Sequence, residues 1–320
     1  MQSIQEALQD PRLQERLARA RQMSRDRKKL QGEPGVEFEC QDCKDTGSLV
    51  EMVYDEKDAF NRGAKPIYRP CHCQERKHLK NRFKNALIPE EFEHARFGNY
   101  QQDAEVQQTL FQAIQKYLQQ LQQIIDDKQE INSLGFMAIY GESLIREMSG
   151  EDRYSFKQKH NNFGLGKTHL QMAAAKWIIN KILVRDEIAP GQKSKFDRGC
   201  RVLCVSDVTF MDDLIQAKMM RDEGKTLRDL LHGAFSVDVL IWDDLGKAKW
   251  SESKEGLYYQ IINERYRHKK PIIFSSNEDQ GTLSDKIGYA AASRLFGMTG
   301  GTDHFLYEVE GEDFRLRKER

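Results

Sequence analysis

The chain has 320 residues, of which 50 are Lys or Arg and 50 are Asp or Glu, so its formal net charge is zero. Zero net charge argues against a protein that coats nucleic acid or acidic membranes through bulk electrostatics, although local basic patches are still allowed. With 39% hydrophobic and 31% charged residues, the composition predicts a soluble protein with a sizeable core, and no apolar run approaches the ~20 residues that span a bilayer.

Residues 1–35 are predicted to form a helical arm and a linker. The arm is rich in Gln and Arg and lacks the apolar stretch of a signal peptide, which favours a cytoplasmic protein. Two interpretations of the arm remain open: a solvated tail, or an amphipathic helix that docks on a partner protein or on nucleic acid.

Residues 36–85 contain two closely spaced cysteine pairs, Cys40 with Cys43 and Cys71 with Cys73. Four thiolates suit tetrahedral Zn²⁺, and paired cysteines are the usual way to bring them together. Either His72 or His78 would be an alternative ligand, and four reduced thiols without a metal are a further alternative. No general base lies nearby in the sequence, so a zinc module with a structural role is favoured.

Residues 95–320 alternate apolar runs with longer helical patterns, after a first helix predicted over 103–128. The apolar runs lie at 136–140, 202–205, 237–242 and 271–274, and the helices between them lie at 166–183, 207–221 and 252–268. Fully apolar strands that alternate with helices predict an α/β domain, with a central parallel sheet flanked by helices on both faces.

A glycine-rich loop opens the helix predicted over 166–183. In Gly164-Leu-Gly-Lys-Thr168, glycines allow backbone N–H groups to surround phosphates, Lys167 reaches the β- and γ-phosphates, and the Thr168 hydroxyl is offered to Mg²⁺. This pattern predicts an ATP site of the P-loop type.

The first glycine of the full P-loop pattern is missing, because Asn161 occupies its position. Gly141 ends the preceding apolar run, and removal of residues 142–161 would join it to Asn162 and complete the pattern. Residues 142–161 are therefore interpreted as a mobile excursion inserted in the loop; alternatively, they disable the site. The predicted nucleotide-binding residues are Gly141, Asn162, Phe163, Gly164, Leu165, Gly166, Lys167, Thr168 and His169.

Acidic and polar residues follow the next two apolar runs. Asp243 and Asp244 end the run at 237–242, which is typical of a Walker B strand: Asp243 would hold Mg²⁺ and Asp244 would polarise the attacking water. Asn277 follows the run at 271–274 and would lie beside Asp243 and Asp244. There it would either orient the attacking water or only cap the strand.

Together these segments resemble the DnaC/DnaI/IstB group of AAA+ ATPases, from about Phe38 to Arg315. Cys40-Gln-Asp-Cys-Lys-Asp-Thr-Gly47 with Cys71-His-Cys73 is similar to the zinc module of the replicative helicase loaders. Gly-Lys-Thr-His-Leu170 and Ile-Trp-Asp-Asp-Leu-Gly246 are similar to the P-loop and Walker B strand of the group. The resemblance implies that Asn277 is sensor 1, Arg294 an arginine finger and Arg315 sensor 2. Arg265, on the preceding helix, is an alternative candidate for the arginine finger.

The resemblance implies an ATP-dependent loader of the replicative DNA helicase, with ATP, Mg²⁺ and Zn²⁺ as cofactors. It would act as a nucleotide-dependent homo-oligomer without a membrane partner. The helicase would bind residues 1–85, and single-stranded DNA would bind the ATPase. Two alternatives remain: an IstB-type transposition helper, and a zinc-binding adaptor that does not hydrolyse ATP. The candidate DNA contacts are Lys218, Arg221, Lys225 and Arg228.

Overall fold

The computed structural model describes residues 38–53, 65–189 and 192–316. The predicted arm and linker, residues 1–35, lie outside the described residues. The chain divides into two compact units, 1–77 and 78–320. Among the described residues, no helix combines the length and the apolar character needed to cross a membrane.

The first unit contains a β-hairpin next to the cysteine pairs. Strands β1 (Ser48–Val53) and β2 (Lys65–Pro70) pair antiparallel, and helix α1 (Cys73–Asn85) begins at the last cysteine. The boundary between the units falls inside α1, earlier than the predicted end of the zinc module at residue 85. Leu79 and Phe83, in the second half of α1, pack against the core of the second unit, which explains the earlier boundary.

The second unit is built on a five-stranded parallel sheet. Its strand order is β11-β3-β10-β9-β8, and in the part of this unit that the structure describes, four further short strands form two antiparallel pairs, β4 with β7 and β5 with β6. The strands of the second unit are β3 (Leu134–Ala138), β4 (Leu183–Val184), β5 (Glu187–Ala189), β6 (Gln192–Lys193), β7 (Arg198–Gly199), β8 (Val202–Ser206), β9 (Val239–Asp243), β10 (Ile272–Ser275) and β11 (Leu306–Val309).

Helices connect these strands and cover both faces of the sheet. Within the described residues, short 3₁₀ turns accompany them at Glu90–Phe92, Phe97–Asn99 and Phe314–Leu316. The α-helices of the second unit are α2 (Glu105–Asp126), α3 (Glu142–Glu147), α4 (Gly150–Lys159), α5 (Lys167–Lys181), α6 (Asp207–Met219), α7 (Lys225–Ser236), α8 (Glu252–Arg267), α9 (Gln280–Ile287) and α10 (Tyr289–Thr299).

Alternate residues of each strand serve the two faces of the sheet, which explains why the strands are apolar throughout. On β9, Val239 and Ile241 pack with α2 and α5. Leu240 and Trp242 pack on the opposite face with α6, α8, α9 and α10. The predicted α/β architecture with a central parallel sheet is therefore confirmed.

The parallel register aligns the carboxyl ends of the central strands. Ser206 of β8 lies opposite Asp243 of β9, and Phe274 of β10 lies opposite Trp242 of β9. The polar residues that follow these strands therefore meet along one edge, called the carboxyl edge of the sheet below. In parallel α/β sheets, ligands bind at this edge.

Candidate nucleotide site and cysteine cluster

The glycine-rich loop takes a conformation that its sequence requires. Gly164 and Gly166 have φ angles of 66° and 86°, which side chains disfavour. A Cβ atom at Gly166 would lie 2.6 Å from the Tyr100 ring. The chain then enters α5 at Lys167, so the first N–H groups of that helix face the loop. A glycine-rich loop that leads into the first turn of a helix is the local arrangement that binds phosphate groups in other proteins.

The Lys167 ammonium lies at the centre of the site. Its Nζ donates to Asn277 Oδ1 at 2.8 Å, to Ser276 O at 3.1 Å and to Asn162 O at 3.2 Å. The side chain is buried, and burial lowers the pKa of Lys167 to about 8. A buried cation held mostly by neutral oxygens is ready to bind an anion.

Asp243 lies next to the hydroxyl that the sequence assigns to magnesium. Thr168 Oγ1 donates to both carboxylate oxygens of Asp243, and Ser275 Oγ donates to Oδ1 at 2.7 Å. The Gln171 amide, oriented to satisfy both of its partners, donates to Asp243 Oδ1 at 2.8 Å and accepts from Ser275 N at 3.0 Å. Burial and the charge of Asp244 raise the pKa of Asp243.

Asp244 points along the same edge toward Asn277. Asn277 Nδ2 donates to Asp244 Oδ1 at 3.2 Å, and Lys247 forms an ion pair with the other carboxylate oxygen. Asp244 itself has a φ of 53°, which re-aims the chain directly after the strand. The structure thus brings Lys167, Asp244 and Asn277 into one hydrogen-bonded chain.

A cleft of about 840 Å³ opens over these groups. Arg315 lines the cleft together with Phe163 and His169, although the Arg315 side chain is 76% exposed. Leu165 of the loop also lines the cleft, although its side chain is buried and packs in the core. The residues predicted for phosphate and magnesium binding therefore line one cleft of a size suited to a nucleotide, with the exception of Gly141, which lies against Asp279 and Thr282.

The excursion, residues 142–161, which the sequence predicts to be a mobile surface segment, contains the short helices α3 and α4. Ser143 of α3 donates to the buried Glu278 carboxylate through its N (3.0 Å) and its Oγ (2.9 Å). Beyond α4, Asn162 Nδ2 donates to Tyr140 O at 3.2 Å, so the two ends of the excursion are adjacent. The hydrogen bonds of Ser143 therefore join the first helix of the excursion to the loop that follows β10.

Three arginines named from the sequence have different positions. Arg315 lines the cleft. Arg294, on α10, is not among the residues that line it and instead lies against the Tyr259 and Tyr266 rings, at 5.1 and 5.9 Å from their centroids. Arg265 is fully buried and donates to four backbone carbonyls, so it is a structural residue and not available to a neighbouring molecule.

The four candidate DNA contacts gather around one turn. Lys218 lies near the end of α6, Arg221 follows it, and Lys225 and Arg228 lie on α7. All four are exposed, as are Met219 and Met220 between them. The positions are compatible with binding an extended polyanion.

Tyr100 is a residue of the site that the sequence reasoning missed. Its hydroxyl donates to Leu165 O at 3.1 Å, and its ring stacks on Phe111 at 6.0 Å and lies 5.5 Å from the His169 ring. It lies in an irregular segment before α2, where no periodicity marks it. Only the glycine at position 166, which leaves room for a close neighbour, hints at such a contact.

The four cysteines of the first unit form one buried cluster. Their Sγ atoms all lie within 4.8 Å of one another, with 3.6 Å between Cys40 and Cys71 and 3.4 Å between Cys43 and Cys73. Tetrahedral Zn²⁺ with Zn–S bonds of about 2.3 Å needs sulfur atoms about 3.8 Å apart. The donor set and its spacing therefore fit a structural zinc ion.

The surroundings of the cluster also fit a metal site. The Asp45 carboxylate accepts from the backbone N–H of Cys40 at 3.0 Å, and Gly47 N donates to Cys43 Sγ at 3.3 Å. The exposed His72 ring lies 3.7 Å from Cys71 Sγ and pairs with Asp42, whereas the four cysteines are buried. The geometry favours the four thiolates as ligands over His72.

The comparisons with known proteins find similarity to an ATPase domain and to ATP-binding proteins over about half of the chain. The model of the bacterial DnaA ATPase domain matches residues 137–288. The ATP-binding protein of insertion sequence IS5376 from Geobacillus stearothermophilus is 27% identical over 157 residues, which are 49% of this chain and 54% of that protein. The ATP-binding protein of IS21 from Pseudomonas aeruginosa is 27% identical over 192 residues, which are 55% of this chain and 60% of that protein.

Among solved structures, the crystal structure of the DnaC helicase loader aligns with a TM-score of 0.46 and 21% identity. The alignment covers 66% of this chain and 96% of that one. The chain spans somewhat more than half the length of the two insertion-sequence proteins that it matches. Residues 137–288, which the model of the DnaA ATPase domain matches, contain the phosphate loop, Asp243 and Asp244, and the strands β8, β9 and β10.

Proposed function

We propose that this chain, a DnaC/IstB-like AAA+ ATPase, binds Mg²⁺-ATP at the carboxyl edge of its sheet and hydrolyses it there. The observation that carries the proposal is the continuous set of contacts from Lys167 through Asn277 to Asp244, beside the Thr168–Asp243 pair. These groups supply a phosphate-binding cation, two magnesium-binding oxygens and a second carboxylate near the bound phosphates.

Each group has a distinct role in this proposal. Thr168 and Asp243 would hold Mg²⁺, which when bound neutralises charge on the phosphates. Lys167 binds the phosphate oxygens. Asp244 orients and deprotonates the attacking water, and Asn277 holds the Asp244 carboxylate through the 3.2 Å hydrogen bond.

Arg315, which is exposed, and Arg294, which is half-buried, complete the site from different sides. Arg315 lines the cleft of its own chain and would contact the nucleotide there. Arg294 faces away from that cleft and would reach the nucleotide of a neighbouring copy, so that hydrolysis depends on assembly of a homo-oligomer. An arginine supplied in trans stabilises the charge that develops on the transferred phosphoryl group.

Within this scheme the protein is a cytoplasmic loader of the replicative DNA helicase. The cysteine cluster, which fits zinc, supports a loader, because a zinc module of this pattern preceding the ATPase is the feature that resembles the loaders. The helicase would bind residues 1–85, and single-stranded DNA would bind the basic turn between α6 and α7. ATP would hold the loader assembly together, and hydrolysis would release it.

A second function has its own support. The two curated relatives are ATP-binding proteins of insertion sequences, which favours a transposition helper that shares the ATPase but has a transposase as partner. The remaining alternative is a zinc-binding adaptor without hydrolysis, in which residues 142–161 would disable the phosphate loop.

ATP turnover, measured with and without single-stranded DNA and the replicative helicase, tests the proposal. The loader should stimulate entry of the helicase onto single-stranded DNA in an ATP-dependent manner, and the Lys167→Ala protein should neither bind ATP nor act. Lys181→Ala, at the exposed end of the same helix, is the matched control. Turnover that responds to a transposase and not to the helicase would replace the loader by the transposition helper.

A further inference from the structure

Asn161 stands where an uninterrupted phosphate loop would have its first glycine, and the structure gives its side chain a different task. Its Nδ2 donates to Phe163 O and to Gly311 O, both at 2.8 Å. Its Oδ1 accepts from Phe163 N at 3.3 Å, and its backbone O accepts from Gly311 N at 2.7 Å. All of these bonds join either the phosphate loop or the segment near the end of the chain.

Residues 310–315, called the C-terminal segment here, lie directly along the phosphate loop. Besides the two bonds between Gly311 and Asn161, Phe314 N donates to Gly164 O at 3.1 Å. The Asp313 carboxylate occupies the space that a Cβ atom would take at Gly164 and accepts from Arg315 N at 3.0 Å. Arg315 therefore reaches the cleft from a segment that is held at Gly311, four residues earlier, and at Phe314, one residue earlier.

The excursion supplies this attachment at its last residues. His160, one residue before Asn161, bonds to Glu310 at 2.8 Å, so two consecutive side chains of the excursion contact two consecutive residues of the C-terminal segment. A glycine at position 161 would keep the backbone bond but would lose both side-chain donor bonds. The loss of these bonds should let the backbone amides of the segment exchange with deuterium faster.

We propose that Asn161 is a positioning residue that holds the C-terminal segment, and with it Arg315, against the phosphate loop. The proposal rests on the proposed contact of Arg315 with the nucleotide. The excursion thus does more than interrupt the loop: its final residue joins the loop to the segment that carries Arg315. The alternative is a purely local turn, in which Asn161 only shapes Phe163 and the loop.

Two substitutions separate these possibilities in the full-length protein. Asn161→Asp keeps the size and one acceptor of the side chain and removes its donors, and Asn161→Ala removes the side chain beyond Cβ. The matched control is Asn180→Ala, whose exposed amide bonds only within its own helix. For each variant we would measure turnover, Kd for Mg²⁺-ATP and Tm. Each substitution is tested by itself and together with Arg315→Ala.

The expected result is non-additivity. Asn161→Asp should lower kcat by roughly tenfold, as expected for the loss of one to two such bonds, but should lower it little further in the Arg315→Ala protein, because both changes remove the same contribution. Backbone amides of the C-terminal segment should also exchange with deuterium faster in Asn161→Asp and Asn161→Ala, and Asn180→Ala should change neither readout.

Three outcomes would overturn the inference, and they are distinguishable. Additive losses in kcat would show that Asn161 acts independently of Arg315. Unchanged amide exchange in both Asn161 variants would show that the side chain does not hold the segment. Full activity of Arg315→Ala would show that Arg315 does not act on the nucleotide, so Asn161 could not act through it. The proposed ATPase function would be unaffected by this result, because it is tested separately by ATP binding and turnover of the unmodified protein.

Discussion

Thr168 Oγ1 lies 3.0 Å from each carboxylate oxygen of Asp243, although the two residues are 75 positions apart in the chain. The contact exists because α5 begins directly after the phosphate loop and β9 ends at the same edge of the sheet. Magnesium sites of P-loop ATPases combine a hydroxyl of this kind with a carboxylate. The pair places the reaction centre of the proposed ATPase at the ends of β9 and β10.

Substitution of the two neighbouring aspartates, Asp243 and Asp244, should affect different steps, nucleotide binding and turnover. Asp244→Asn should bind Mg²⁺-ATP nearly as well as the unmodified protein but turn it over about 10²–10⁴-fold more slowly, because it removes only a general base. Asp243→Asn should weaken the magnesium dependence of nucleotide binding. Titration with a fluorescent ATP analogue and steady-state turnover separate the two effects. A fully active Asp244→Asn protein would assign the base to another group.

The pH dependence of binding follows from the burial of Lys167. Because burial lowers the pKa of Lys167 to about 8 in the free protein, this side chain loses its charge as the pH rises through 8. A bound triphosphate favours the charged lysine, so binding takes up a proton above pH 8 and Kd should rise by up to about tenfold per pH unit there. Calorimetry between pH 7.5 and 9.5 measures this, with Lys167→Arg as the control that stays charged. A flat profile for both proteins would contradict the proposed contact.

Much of the fold could be predicted because its signals are local. The apolar period of α2 and the unbroken apolar run of β9 depend only on neighbouring residues, and the predicted bounds differ from the observed ones by about two residues. Gly164, Lys167 and Asp243 could also be named from the sequence, because phosphate and magnesium chemistry requires these residue types at this spacing.

The parts that could not be predicted depend on contacts between distant segments. Strand β11 has only four residues, of which Leu306 and Val309 are buried, so its pairing with β3 leaves no pattern in the sequence. Tyr100 and Asn161 gain their positions from Leu165 and Gly311, which lie far from them in the chain. Their roles become visible only once the sheet brings these segments together.

The position of Arg294 predicts complementation between copies. Its guanidinium lies against the rings of Tyr259 and Tyr266, and Nη1 donates to Ala290 O at 2.8 Å, which holds the side chain away from its own cleft. Arg294→Ala and Lys167→Ala should each abolish turnover, and a mixture of the two proteins should recover part of it. Arg267→Ala, an exposed arginine on α8, is the control.

The tyrosine rings add a second check on the same prediction. Tyr259→Phe keeps the face of the ring and should keep most of the turnover, whereas Tyr259→Ala should lower it, because a cation–π contact at an exposed site contributes about 0.5–1 kcal/mol. If the mixture of Arg294→Ala and Lys167→Ala proteins stays inactive while both still assemble, Arg294 does not act in trans.

The cysteine cluster predicts one tightly held zinc ion per chain. Elemental analysis of the purified protein should find one equivalent, and Cys43→Ser or Cys73→Ser should lose it, since a structural site needs all four ligands. His72→Ala, His78→Ala and Cys200→Ala should keep the ion. ATP binding should survive the loss of zinc, because the second unit has its own core. Loss of zinc in His72→Ala would replace a cysteine by that histidine.

Deletion of the excursion, residues 142–161, tests whether the phosphate loop closes without it. Because Asn162 Nδ2 already bonds to Tyr140 O, joining Gly141 to Asn162 needs little movement, and Mg²⁺-ATP should still bind. Turnover should fall, since the deletion removes the contacts of Ser143 with Glu278 and of Asn161 with Gly311.

A shorter deletion provides the matched control for the excursion. Replacing residues 146–157 by a Gly-Ser linker keeps both Ser143 and Asn161, so turnover should remain close to that of the unmodified protein if these end contacts are what the site requires. Equal activity of the full deletion would show that the excursion is passive. If the full deletion abolishes ATP binding while Tm stays unchanged, the excursion completes the phosphate loop. ATP binding would then depend on residues within 142–161, which a P-loop without an insertion does not contain.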